Sequence, residues 1–246
     1  MSNTAFVAAR MGSERLPGKV IKEFSGIPSL VHIFNILKES QSIDDFAVLT
    51  TVLAEDDIIE NICKENSIKV YRGSVHDVLD RFRMVAEILK PQRIIRVTGD
   101  DPLMDPEIID KVVNEHITGD FDYTSNIIKR TYPRGMDTEV IEYEALERSW
   151  KNTSDRDDHE HVTLYIRRNP NLFRMQNVMK EGICLDELRL CIDTEEDSNL
   201  ISEIYNNLYK NRPIKLGEVT EFLDKNTELK KINSNIQQKH IKGKLF

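Results

Sequence analysis

Two hydrophobic periods alternate along the first hundred residues. "AFVAA" is a short unbroken apolar run of the kind a buried strand shows, and "SLVHIFNILKES" has apolar residues at helical spacing. The same alternation continues with "FAVLTT" as strand, "DDIIENICKEN" as helix and "IKVYRG" as strand. "HDVLDRFRMVAEILK" then reads as helix and "RIIRVTG" as strand. Repeated strand–helix units with short links predict an α/β chain with a mostly parallel central sheet between helical layers. After Pro106 the texture changes. "PEIIDKVVNEH" is helical, "DYTSNI" and "MDTEVI" predict strands of a small mixed β region, and "DDHEHVTLYIRR" predicts a charged helix. "LRLCID" reads as another buried strand, "TEEDSNLISEIYNNLYK" as a helix, and the segment from Pro213 as polar with helical stretches. Nothing marks a linker or a repeat, so residues 1–246 are expected to form one domain.

Composition narrows the function classes. The chain has 246 residues, long enough to bury a sizeable core. With 39% hydrophobic and 31% charged residues it has the profile of a soluble globular protein. A net charge of −8 argues against general nucleic-acid or membrane binding, which rely on basic surface. No signal peptide is evident and no apolar run approaches a membrane span. The three cysteines, Cys63, Cys184 and Cys191, form no C-x-x-C pair, so reduced thiols and a cytoplasmic setting are expected.

The residue-level chemistry starts directly after the first strand. "AARMGSERLPGK" places Arg10, Arg15 and Lys19 on a loop with Gly12 and Ser13. In parallel sheets, ligands bind beyond the carboxyl ends of the strands. A glycine-containing loop there turns backbone N–H groups toward an anion, and its cations add Coulomb attraction. The alternative is a solvated basic turn. The spacing is not that of an ATPase P-loop, because Val20 follows the lysine where Ser or Thr is required, and it holds no G-x-G-x-x-G. Unusual residues also follow "RIIRV" and "LRLCI", so charges at three strand ends are expected to converge.

"ARMGSERLPGKVI" closely resembles the opening motif of the CTP-dependent cytidylyltransferases that activate sugar acids, the superfamily of the 3-deoxy-manno-octulosonate and acylneuraminate enzymes. The resemblance continues in order through "YRGSVHDVLDRF", "RVTGDDPLMDPEIID", "DYTSNIIKRTYPRGMDTEVI", "EHVTLYIRRNPNLF" and "LRLCIDTEEDSNLI", and is nearest to the spore-coat polysaccharide biosynthesis protein F branch. It implies a three-layer, Rossmann-like nucleotidyltransferase fold. It divides the chain into a nucleotide-binding part, about 1–105, and an acceptor-binding and dimerising part, about 106–246. It also implies that the loop wraps the triphosphate of CTP through Ala8, Arg10, Met11, Gly12, Ser13, Arg15 and Lys19.

A bound triphosphate needs charge neutralisation, and Mg²⁺ takes a few carboxylates plus phosphate oxygens. Asp100 and Asp193 follow strand-like runs, and the resemblance assigns both to the metal. Asp193 or Thr194 has the competing reading of a helix cap, with Thr194 and Asp197 forming a capping box. Asp101 has a turn role or a supporting one beside the metal. Asp105 reads as an N-cap before Pro106. Ser74 is placed to face a ribose or base, and Asp80 and Arg81 resemble a pair that relatives carry near the nucleoside. Their alternatives are a surface ion pair and, at Asp77, a simple cap.

For the acceptor, Arg134 is a cation suited to a carboxylate or phosphate, with Asp137 and Glu139 on one strand face for hydroxyls. The competing reading is a polar hairpin. His161 and Tyr165 stand at i, i+4 on one helix face and match positions that relatives place beside the sugar. The region around Phe82 reads as core, and Cys184 and Cys191 as small apolar residues.

The expected reaction is Mg²⁺-dependent transfer of CMP from CTP to an acidic acceptor with release of pyrophosphate. Lys19, Arg10, Asp100 and Asp193 are the catalytic candidates. Two rivals stand beside it: a nucleotide-sugar glycosyltransferase, and a non-catalytic nucleotide-binding protein. A homodimer is expected from the resemblance.

Overall fold

The computed structural model describes residues 2–238. Its main sheet contains β1 (Asn3–Ala8), β4 (Asp45–Thr51), β5 (Lys69–Gly73), β6 (Arg93–Thr98), β7 (Tyr123–Ser125), β8 (Glu139–Glu142) and β9 (Met175–Asn177); β2 (Glu23–Phe24) and β3 (Ile27–Pro28) form a separate small hairpin. The strand order is β5-β4-β1-β6-β8-β7-β9. β5, β4, β1 and β6 pair in parallel, β8 runs antiparallel to both β6 and β7, and β9 is parallel to β7. This is the mostly parallel α/β sheet with a mixed edge that the hydrophobic pattern predicts.

Helices α1 (Ser29–Glu39), α2 (Asp57–Glu65), α3 (Val78–Leu89) and α4 (Pro106–Thr118) follow the predicted segments. The later helices are α5 (Tyr143–Asn152), α6 (Arg156–His161), α7 (Leu164–Arg168), α8 (Glu195–Leu208) and α9 (Leu216–Lys225). Alternation along β1 explains the layering. Ala5 and Val7 join one core with α1, α2 and α4, whereas Phe6 joins the other with α3, α5 and α7. Phe6 meets Phe82 edge to face, so Phe82 is core. A third cluster packs α8 and α9 against Phe24, Leu103 and Leu190. Asp105 caps α4 through the Glu107 N–H and also accepts from Leu216 N–H at the start of α9. No helix among the described residues is long and apolar enough to cross a membrane.

Several expectations change. The charged helix over "DDHEHVTLYIRR" is two short helices, broken where Val162 takes φ 54 and Thr163 N–H bonds back to the His161 carbonyl. A β-branched residue is an outlier there, and Thr163 is held by its hydroxyl bond to Glu139. "LRLCID" is buried as expected but is not a sheet strand. It is a strap: Leu190 N–H bonds to the Arg134 carbonyl, Arg134 N–H to Leu188 and Ile192 N–H to Asp100. Nearness in sequence to apolar neighbours cannot distinguish a strand from a buried strap. "DYTSNI" and "MDTEVI" shorten to three and four residues, so Asp137 lies before β8 rather than on its face. Helix α5, strand β9 and the hairpin were not read from the pattern. Cys184 is exposed rather than apolar core, while Cys63 and Cys191 are buried. Part of the polar C-terminal segment, residues 239–246, lies outside the described residues.

Candidate active site

The loop after β1 is fastened at its base before any ligand is considered. Met11 N–H donates to Asp56 Oδ1 at 2.7 Å, and the other Asp56 oxygen accepts from both the amide and the hydroxyl of Thr51. Asp56 is fully buried. Ser13 and Gly18 amides both return to the Met11 carbonyl. Gly18 has φ 71, a left-handed conformation that glycine adopts at no steric cost, and it starts the short 3₁₀ turn carrying Lys19.

Lys19 is where the loop after β1, the end of β6 and the end of the strap meet. Its Nζ donates to Asp100 Oδ2 at 2.5 Å and to Asp193 Oδ1 at 2.7 Å. Asp100 follows β6, and Asp193 ends the strap. Burial by itself lowers the lysine pKa, but Asp100 and Asp193 together outweigh it and hold the ammonium charged. Burial pushes the Asp193 carboxyl up; Lys19, Arg15 and Arg189 overcome that and keep it ionised well below the usual range. Arg15 Nη2 lies 2.8 Å and Arg189 Nη2 2.7 Å from Asp193 Oδ2.

Arg189 is the positioning residue behind this carboxylate. Its Nε donates to both oxygens of the fully buried Asp197, and Nη1 donates to Gln238 Oε1. Asn233 Nδ2 donates to the Arg189 carbonyl and to Asp197 Oδ1. Thr194 caps α8 and forms the capping box with Asp197. Asp197 thus serves both the capping box and Arg189, while the cap itself is Thr194 and not Asp193.

Beside Lys19 a cavity of about 410 Å³ opens at the carboxyl edge. Arg10, Ser13, Arg15 and Lys19 line it from the loop, and Asp100 and Asp193 line its floor. Val78 and Arg81 come from α3, Arg96 and Thr98 from β6, and Glu160 and His161 from the end of α6. Arg81 is 3% exposed, yet its Nε and Nη1 have no hydrogen-bond partner among the described residues. Burial, then the nearby Arg10, lower its pKa to about 10. A guanidinium left this way needs an acceptor from the cavity's contents.

The remaining candidates divide. Ala8 lines the cavity, but Met11 packs against the core, and Gly12 stands beside Glu55. The Ser74 hydroxyl accepts from Asp77 N–H, and Asp77 caps α3. Asp80 pairs with Arg83, not Arg81, because residues three apart share a helix face and adjacent ones do not. Arg134, Asp137, Glu139 and Tyr165 are absent from the cavity lining. Arg130 binds Asp137 bidentately. Glu139 is buried against Arg96, Tyr123 and Thr163. Tyr165 packs on Phe173. The helix break separates His161 from Tyr165, so they do not share one helix face. Burial, helped by Arg96 and Arg167 against the opposing Glu160, lowers the His161 pKa and favours neutral imidazole.

Arg96, Asp56 and Arg189 escaped the sequence reading. A charged residue interrupting each of the apolar runs "RIIRV" and "LRLCI" was the available signal for two of them. Nothing in "LAEDD" distinguishes Asp56 from its neighbours.

Hard carboxylate oxygens converging on one cationic position, with further cations beside them, suit Mg²⁺ held together with phosphate oxygens. Asp100 and Asp193 fit that role. Cys191, Asp193 and Asp197 also lie close together, but Arg189, Asn233 and two backbone amides occupy the Asp197 oxygens. Burial keeps the Cys191 thiol protonated, so this second cluster is a structural clasp.

A mostly parallel sheet with a basic loop and paired aspartates at its carboxyl edge is the arrangement of a nucleotide-binding α/β enzyme. The chain belongs to the cytidylyltransferase family, whose profile matches residues 4–241. It is 38% identical over 247 residues to the protein MJ1063 of Methanocaldococcus jannaschii, covering 97% of each chain. It is 35% identical over 228 residues to the spore coat polysaccharide biosynthesis protein SpsF of Bacillus subtilis, covering 90% of this chain and 94% of that one. A cytidylyltransferase structure from Leptospira borgpetersenii superposes with a TM-score of 0.89 at 30% identity, covering 98% of this chain and all of that one.

Proposed function

We propose that the protein transfers CMP from CTP to an acidic sugar acceptor, releasing pyrophosphate, in the synthesis of a surface-polysaccharide precursor. The observation that carries this reading is the Lys19 ammonium between Asp100 and Asp193 at the end of a basic loop. The family, the spore-coat relative and the ordered sugar-acid motifs support the donor and acceptor class.

The chain's own groups suit the chemistry. The side chains of Arg10, Arg15 and Lys19 receive the triphosphate, and Lys19 exchanges its carboxylate partners for phosphate oxygens. Asp100 and Asp193 are the residues that would hold Mg²⁺, which when bound would supply charge neutralisation at the α-phosphate and lower the pKa of the acceptor hydroxyl. The acceptor oxygen forms its bond to the α-phosphorus as the bond to pyrophosphate breaks, and the hydroxyl proton passes to solvent or a phosphate oxygen. Positioning and electrostatics carry most of the rate in such transfers, and no covalent enzyme intermediate is needed.

The test is pyrophosphate release with each of CTP, UTP, ATP and GTP against a panel of sugar acids and sugar phosphates. Release is expected with CTP and a sugar acid, dependent on Mg²⁺. Turnover of a nucleotide sugar without pyrophosphate would establish the glycosyltransferase alternative instead. CTP binding without turnover of any acceptor would support the non-catalytic one.

A further inference from the structure

Three cations and three carboxylates balance one another at the cavity floor. Lys19 pairs with Asp100 and Asp193, Arg15 with Asp193, and Arg189 with Asp193 and Asp197. Both oxygens of Asp193 are in use: Oδ1 accepts from Lys19, and Oδ2 lies 2.8 Å from Arg15 and 2.7 Å from Arg189. The flanking carboxylates offer no replacement for this pair. Asp101 accepts from the Thr98 hydroxyl, and Glu195 is engaged by Lys22.

The cations differ in how they are held. Arg189 cannot leave Asp193 without also stranding the fully buried Asp197, and Gln238 holds its far nitrogen. The Lys19 ammonium, by contrast, has Asp100 and Asp193 as its partners among the described residues. The Lys19 backbone is fixed from both sides: Gly18 N–H bonds to the Met11 carbonyl, and Lys22 N–H bonds to the Lys19 carbonyl. Withdrawal of the ammonium therefore needs only side-chain torsions. A lysine suits that exchange, because it is a point charge on a flexible stem with no fixed fork to realign.

A metal ion held between Asp100 and Asp193 would take the position that Lys19 Nζ fills, 2.5 Å from one carboxylate oxygen and 2.7 Å from the other. A divalent ion joining the balanced cluster while Lys19 stayed would set its charge beside three cations at short range, where screening is weak. Withdrawing Lys19 alone would leave two carboxylates facing each other. An anion that takes up the ammonium removes both obstacles. Arg10, Arg15 and Lys19 all line the cavity, so a triphosphate there is such an anion.

We propose that Lys19 is an internal counter-ion that keeps the metal out of the nucleotide-free protein, and that the triphosphate admits the metal by drawing the ammonium away. The metal then enters with or after the nucleotide, not alone. The inference rests on the cytidylyl-transfer reading and adds how the metal position of that site is controlled.

The experiment measures Mn²⁺, an oxygen-seeking substitute for Mg²⁺ that electron paramagnetic resonance detects directly, on the full chain without nucleotide. Lys19→Met keeps the length of the stem and removes the charge. It is expected to bind Mn²⁺ at least tenfold more tightly than wild type, although it lacks a residue of the site. The double variant Lys19→Met/Asp193→Asn should lose that gain, which places the ion at the carboxylate pair. Lys19→Gln, which keeps a hydrogen bond to one carboxylate without the charge, is used in the same way if Lys19→Met does not fold.

A second arm uses calorimetry with a CTP analogue carrying a methylene between the α- and β-phosphorus. Coupling between two ligands is reciprocal, so Mg²⁺ should tighten binding of the analogue to wild type tenfold or more. Three results overturn the proposal: wild type and the Lys19 variant bind Mn²⁺ equally without nucleotide, the gain survives Asp193→Asn, or Mg²⁺ leaves analogue affinity unchanged. Failure of the analogue to bind under any condition would count against the cytidylyl reading, whereas the nucleotide-free comparison tests the lysine without it.

Discussion

Thr194 supplies its hydroxyl to the Asp197 amide, so helix α8 has its cap without help from the residue before it. Asp193 spends its two oxygens on Lys19, Arg15 and Arg189. This separation gives a paired prediction. Asp193→Asn keeps size and leaves α8 capped but removes the counter-charge of Lys19, Arg15 and Arg189, so the thermal midpoint should fall at pH 7 and kcat should fall by roughly 10²-fold, as when one preorganised electrostatic group is removed. Thr194→Ala should cost only stability, about 1 kcal/mol, with near-normal turnover in the folded fraction. Melting curves and pyrophosphate release on the two proteins decide it. Normal turnover in Asp193→Asn would remove that carboxylate from the active site.

At the scale of elements, the strap carrying Asp193 depends on Gly135. This glycine has φ 95, and a Cβ there would lie 2.5 Å from the Leu190 carbonyl carbon and oxygen. The contact is with backbone, so no side-chain rotation relieves it. Leu190 N–H bonds to the neighbouring Arg134 carbonyl, which ties the strap to this turn. Gly135→Ala should therefore cost roughly 1–3 kcal/mol from backbone conformation alone, with the clash in addition. Because the strap also holds Arg189 and Asp193, CTP turnover should drop even where the variant remains folded. Urea titration together with kcat at a temperature below the variant's transition checks both parts. Unchanged stability would show that the strap tolerates displacement.

Across the whole molecule, the two helices that wall the cavity are tied by one titratable pair. His159 Nδ1 on α6 lies 2.9 Å from Asp77 Oδ2 at the cap of α3, and His159 Nε2 also bonds the Thr153 carbonyl. Burial lowers the histidine pKa, but Asp77, the Thr153 carbonyl and Asp158 raise it above its ordinary value overall. A raised native pKa means that protonation favours the folded state. The contribution is complete below the unfolded value of about 6.5 and is lost as pH rises through the native value. His159→Gln should thus be less stable than wild type at pH 5.5, by about a few tenths of a kcal/mol for a pair open to solvent, and equal to it at pH 9. Urea midpoints of both proteins at the two pH values test the sign. An equal deficit at both would assign the effect to packing.

The sequence by itself determined the layered α/β sheet, since periods of 2 and 3.6 record which face of each segment must be buried. It also placed the basic loop after β1 and Asp100 after β6, because strand ends in a parallel sheet share one edge, and it marked Asp193 as following a buried apolar run. Local chemistry likewise exposed the caps at Asp77, Asp105 and Thr194. Only the tertiary structure decided that "LRLCID" is a strap, because strand and strap bury the same residues and differ only in their hydrogen-bond partners. The break at Val162 was hidden for a related reason: the Thr163–Glu139 bond that holds it links residues 24 apart in the chain. The acceptor side moved most. Arg134, Asp137 and Glu139 are close in sequence, but Arg130 and Arg96 engage the two carboxylates, and Arg96 takes a place on the cavity wall. Sequence fixes which charges exist, whereas their pairing depends on distances that arise only when the strands are side by side.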